Sequence, residues 1–140
     1  MRQALLAELG ARAVYPRLSA SVPDAELARL LARFHQEEIE QVETLRALLT
    51  ALGARPPRTS RRRALAAFAL GFASRYGAFL GARRIALRLC HESETTVARW
   101  YGAYAAYLVR AGEPAHARTC EALALTKRRH ALALGAWVPS

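Results

Sequence analysis

The chain has 140 residues, 53% of them apolar, with a mean hydropathy near zero and a formal net charge of +10. A chain of that size and apolar content can bury enough surface to offset its ordering entropy, which excludes intrinsic disorder. Its 31 Ala and 21 Leu against 8 Gly and 6 Pro exclude a collagenous chain and favour helix nearly everywhere.

The apolar periodicity predicts an all-α fold, a single domain over 1–140, with four long helices. The first spans 2–18 and ends at Ser-Ala-Ser-Val-Pro-Asp, where Pro23 breaks it and Asp24 is a candidate N-cap for the next. The second spans 25–52 and closes at Gly53, Pro56 and Pro57. About 30 residues of connection follow, themselves predicted to be helical. The third helix spans 83–110, Gly112 and Pro114 supply a tight turn, and the fourth spans 114–135. Two antiparallel hairpins joined by one long crossover make the ferritin-like four-helix bundle.

The heptad seams of these helices carry the functional signal. In the first helix the seam reads Ala4, Glu8, Ala11, Tyr15, Leu18; in the second, Leu27, Leu31, Phe34, Glu38, Gln41, Leu45, Leu48, Leu52. In the third it reads Leu87, Cys90, Glu94, Val97, Tyr101, Tyr104, Leu108, and in the fourth Cys120, Leu123, Lys127, His130, Leu134. Each helix therefore aims one or two polar groups into an otherwise apolar core, where an unpaired carboxylate costs several kcal/mol. These groups must meet one another or a metal. Glu37, Glu40 and Glu43 fall off the seam and read as a solvated face, and His35, His91 and His116 as surface or rim residues. Bundles that hold two iron or manganese ions use single Glu residues together with Glu-x-x-His pairs. Here Glu38 is followed by Gln41 where His would stand, and His130 is preceded by Lys127 where Glu would stand.

Charge is distributed unevenly, at −1 over residues 1–50, +9 over 51–91 and +2 over 92–140. Arg61, Arg62 and Arg63 before an Ala/Phe/Leu segment, with Arg83 and Arg84 beyond it, resemble a basic element that docks on an anionic membrane surface. Nucleic acid is the weaker partner, because no aromatic-interleaved basic face or DNA-binding motif accompanies the charge. The most apolar stretch, Ala64 to Ala82, is interrupted by Arg75 and is rich in Ala and Gly, so it reads as core or membrane surface rather than as a span. Cys90 and Cys120 suit a reducing compartment, and no secretory signal is legible. The expected location is cytoplasmic, peripheral on the inner membrane face at most.

Three local matches carry a family resemblance. Glu8-Leu-Gly-Ala-Arg-Ala-Val-Tyr15 is similar to Glu-Val-Gly-Ala-x-x-Ile-Tyr in the first helix of the demethoxyubiquinone hydroxylases. The stretch Phe68 to Gly81 resembles that family's glycine-punctuated helix. Glu94 followed by Tyr101 resembles its Glu-x-x-x-x-x-His-Tyr, with Trp100 in place of the His. The resemblance implies a ferritin-like di-iron fold and metal ligation by Glu8, Glu38, Glu94 and His130, with Tyr15 and Tyr101 lining a core cavity. Gln41 and Lys127 depart from the family pattern, and the Glu expected at position 127 would bridge the two irons. Lys127 is the only lysine in the chain. Its ammonium is expected to fill the vacated metal position and pair with Glu38 and Glu94.

Two functions compete on this reading. One is a membrane-associated protein that binds a quinone or prenylated lipid, or forms a protein interface such as a homo-oligomer, with one iron or none. The other is an active iron-dependent monooxygenase that hydroxylates a ubiquinone precursor.

Overall fold

In a computed structural model, which describes residues 1–55 and 80–138, four helices run in chain order: α1 (Arg2–Ser21), α2 (Ala25–Ala51), α3 (Leu80–Arg110) and α4 (Pro114–Gly135). The described residues contain no strand, so the all-α expectation holds. Arg61, Arg62 and Arg63, the expected helical connection and most of the Phe68 to Gly81 match lie outside the described residues.

The helix limits differ from expectation only at their ends. α1 runs on to Ser21 because its serines cap it rather than break it. Ser21 Oγ donates to the Leu18 carbonyl at 2.9 Å, and the Val22 N–H reaches the same oxygen at 3.1 Å. Ser19 Oγ donates to the Ala28 carbonyl at 2.8 Å and so ties the end of α1 to α2. Asp24 is the N-cap expected of it, with one carboxylate oxygen accepting from the Glu26 and Leu27 N–H groups at 2.9 Å each. Asp24→Ala should lower the unfolding free energy by about 1 kcal/mol, read from the denaturation midpoint.

Both short helix ends use glycine in the left-handed region, Gly53 at φ 71° after α2 and Gly112 at φ 79° after α3. There the Ala54 N–H returns to Leu49 O at 2.8 Å and the Glu113 N–H to Leu108 O at 2.9 Å, the six-to-one bond of a Schellman cap. A side chain at either glycine would strain that backbone. Pro114 then opens α4, where its missing N–H costs nothing.

α1 pairs with α2 and α3 with α4, and the two hairpins join where α1 meets α3 and α2 meets α4. The seam residues are buried as the heptads require, apart from Ala11, Leu52 and Tyr104, which are half-buried where the seam drifts outward. The apolar core is not continuous. One cluster gathers Leu5, Val42, Leu45, Leu48, Val97, Leu108, Cys120 and Leu123. A second, toward the other end, gathers Val14, Leu18, Leu27, Leu31, Phe34, Leu87, Cys90 and Leu134. The positions that separate them along the seams are the polar ones.

Candidate functional site

Six buried polar side chains form this middle layer: Glu8 from α1, Glu38 and Gln41 from α2, Glu94 from α3, and Lys127 and His130 from α4. Helical spacing explains the convergence. Glu38 and Gln41 are three residues apart, as are Lys127 and His130, so each pair projects from one face toward the bundle axis.

Lys127 is the hub. Its ammonium lies 2.5 Å from Glu8 Oε2, in direct contact with Glu38 Oε1, and 3.3 Å from Glu94 Oε2. Burial alone would lower the lysine pKa, but the three carboxylates reverse this and hold it above its usual range, so the group is a firm cation. The carboxylates respond unequally. Burial and its acidic neighbours push the Glu8 carboxyl well above the usual carboxylate range. Against its own burial, Glu38 is drawn down to about 2 by the ammonium and by hydrogen bonds from Glu8, His130 and Lys127. Glu8 thus holds a proton to higher pH than Glu38 does.

His130 sits beside the hub, with Nδ1 3.5 Å from Glu38 Oε1 and 3.4 Å from Glu94 Oε2. Its Nε2 meets Glu37 Oε2 at 2.7 Å, and Arg129 reaches that same oxygen at 2.5 Å. Burial would lower the imidazole pKa, yet the three surrounding carboxylates raise it to about 9. Phe34 stacks on the ring at a centroid distance of 3.9 Å, and the Tyr15 ring packs edge-on against Phe34 at 5.8 Å. A flat apolar wall therefore fixes the imidazole plane.

Two tyrosines close the layer reciprocally between α1 and α3. Tyr15 donates its hydroxyl to Glu94 Oε1 at 2.5 Å, and Tyr101 donates to Glu8 Oε1 at 2.6 Å. Burial raises both phenols well above their usual range and keeps them donors. Both rings are fully buried and spend their polar ends on the carboxylates.

Other expectations fare differently. Glu37 is not on a solvated face; it is half-buried, bridging His130 and Arg129, because the side of α2 next to its seam turns toward α4. Arg84 is exposed and Arg83 half-exposed, with its Nε shielded from solvent. His91 bonds the Ala131 carbonyl at 2.9 Å and His116 pairs with Glu113 at 2.9 Å, both away from the layer. Among the described residues, Glu38, Glu94 and His130 offer three ligand atoms within 4.8 Å of one another, a group that could hold one metal ion. No described helix is long and apolar enough to cross a membrane.

Neither the curated proteins nor the solved structures gave a match to this chain. The family described as "Ubiquinone biosynthesis protein COQ7" matches residues 1–134, so the match spans all four helices. With that coverage, and with Glu8, Glu38 and Glu94 from three helices gathered at mid-bundle, the chain belongs to the COQ7 family of ferritin-like, di-iron ubiquinone-biosynthesis proteins.

Proposed function

We propose that this member of the family holds the Lys127 ammonium where its relatives hold metal, and that it binds a quinone or prenylated lipid rather than oxidising one. The observation that carries the reading is the contact of one ammonium with Glu8, Glu38 and Glu94 together. Two irons do not fit that donor set. A protonated amine has no lone pair to give, and a dication about 4 Å from it is repelled by roughly 8 kcal/mol at an effective dielectric of 20. Gln41 offers an amide in place of an imidazole, a weaker ligand for iron. A single metal at Glu38, Glu94 and His130 is the most this arrangement supports, and it requires Lys127 to withdraw.

Family membership supports a quinone-related ligand. Arg84 and Arg88 beside the exposed Ile85 and Leu89 on α3 support contact with an anionic membrane surface. Anaerobic reconstitution with Fe²⁺ followed by elemental analysis tests the reading. The expected content is one iron per chain or none, and two irons would restore the monooxygenase as the leading function.

A further inference from the structure

The outward side of α4 carries the two most exposed large apolar side chains of the described residues, Leu125 at 68% and Leu132 at 81%. A single exposed leucine is ordinary, but these two stand seven residues apart, about 10.5 Å along the helix axis. They flank a concave groove of about 460 Å³, lined by Leu125, Thr126, Arg128, Arg129 and Leu132.

The groove is also basic. Arg129 is engaged by Glu37, but Arg128 has no ion-pair partner among the described residues. Its guanidinium reaches across to α3, where a Cβ on Gly102 would meet it at 3.9 Å. Arg118 is exposed and stands one heptad before Leu125, on the same side of α4. Glu121 is the acid of this side, so the exposed charge around the leucines is net positive.

Three kinds of occupant differ in what they offer such a face. A two-fold contact sets a face against itself, so a second copy of the chain would oppose arginine to arginine at a cost in affinity. A bilayer is flat and laterally fluid, with no ridge to enter a groove and no selection for leucines one heptad apart. A helix presents a ridge of apolar side chains that repeats every heptad, with room for charges beside it.

We infer that the outer face of α4 docks an acidic amphipathic helix of another protein. Two of its apolar side chains, one heptad apart, seat against Leu125 and Leu132, and a carboxylate beside that ridge pairs with Arg128. Because the Arg128 guanidinium is held over α3 at Gly102, the docked helix lies in the valley between α3 and α4. The leucines supply affinity, and the arginine supplies orientation and partner choice. The face is separate from the buried layer, so the inference stands whatever that layer holds.

Fluorescence anisotropy tests it on the full chain at physiological salt. The probe is a labelled three-heptad synthetic helix with Leu at a and d and Glu at e and g, and the control is a peptide of identical composition without helical period. The periodic peptide should bind about tenfold more tightly than the control, and Leu132→Gln and Arg128→Glu should each weaken it about tenfold. Both replaced side chains are exposed, and an unchanged melting curve shows that each variant keeps the fold. Arg110→Glu makes the same charge change at the far end of α3, where salt screens it, so affinity should stay within about twofold. Equal binding of the two peptides, or equal weakening by Arg110→Glu and Arg128→Glu, would reduce the attraction to bulk charge and overturn the inference. Binding to phosphatidylglycerol vesicles that Leu132→Gln abolishes would overturn it in favour of a membrane, and a dimer that Leu132→Gln dissociates would do so in favour of a second copy. The two-peptide comparison uses the unmodified chain and decides the matter even where a variant folds poorly.

Discussion

Replacing Lys127 with methionine should lower the unfolding free energy by about 3–5 kcal/mol, the scale of breaking a buried ion pair by removing one partner. The melting temperature should fall by on the order of 10 °C. Methionine nearly matches the length of the lysine stem, so little packing is lost and the effect isolates the charge. What remains is Glu8, Glu38 and Glu94 packed around an apolar thioether with only His130 to offset them. Three carboxylates and an imidazole without the ammonium also make a donor set suited to a dication. Added Zn²⁺ should therefore stabilise Lys127→Met much more than the parent chain, by about 2.7 kcal/mol at a hundredfold excess over its dissociation constant. An unchanged melting curve on substitution would mean that Lys127 does not neutralise the layer.

Stability should peak at acidic pH, near about 4.5–5, and decline on both sides. Glu8 is raised well above 4.5 and His130 to about 9 from 6.5, so the folded chain holds protons that the unfolded chain releases, on Glu8 as pH climbs past 4.5 and on His130 as it climbs past 6.5. For a raised group the stabilisation is complete below the unfolded pKa and is lost as pH climbs through the folded one. His130 alone accounts for about 3 kcal/mol lost between pH 6.5 and 9, because each pH unit separating its folded and unfolded pKa values is worth roughly 1.4 kcal/mol. Glu38 works in the opposite sense. Its carboxyl is depressed to about 2 from 4.5, so its contribution is present above pH 4.5 and disappears as pH falls toward 2. Denaturant midpoints measured from pH 3 to pH 10 check this, and a maximum at or above pH 8 would show that His130 is neutral in the folded chain.

The layer's membership was legible because heptad spacing alone decides which positions face a bundle axis. Glu8, Glu38, Gln41, Glu94, Lys127 and His130 each stand on a seam of otherwise apolar residues, and all six are buried. Glu37 was missed for the same reason. It falls beside the seam, where only the angle at which α2 approaches α4 decides whether a side chain meets solvent or the neighbouring helix. The tyrosine hydroxyls were placed in the core but given no partner, although a signal existed. Glu8 and Tyr15 are seven residues apart, and so are Glu94 and Tyr101. When α1 and α3 lie antiparallel, equal spacing brings each hydroxyl opposite the other helix's carboxylate, as the two bonds show. That Gln41 finds no hydrogen-bond partner among the described residues could not be read in advance, since it depends on what neighbouring helices fail to offer.

The division of the apolar core by a charged layer also bears on how the chain chooses among alignments. Repeating Leu and Ala seams tolerate sliding by a heptad, because one apolar layer resembles the next. Moving α4 by seven residues would set Lys127 among the layers of Leu31 or Leu45 and bring Leu134 or Cys120 against three glutamates. Each such slip strands a cation in hydrocarbon and leaves the carboxylates uncompensated, while the observed alignment satisfies both at once. Lys127 thus acts as a registration pin, and folding to a unique helix alignment in this chain depends on a charge at its centre rather than on apolar volume.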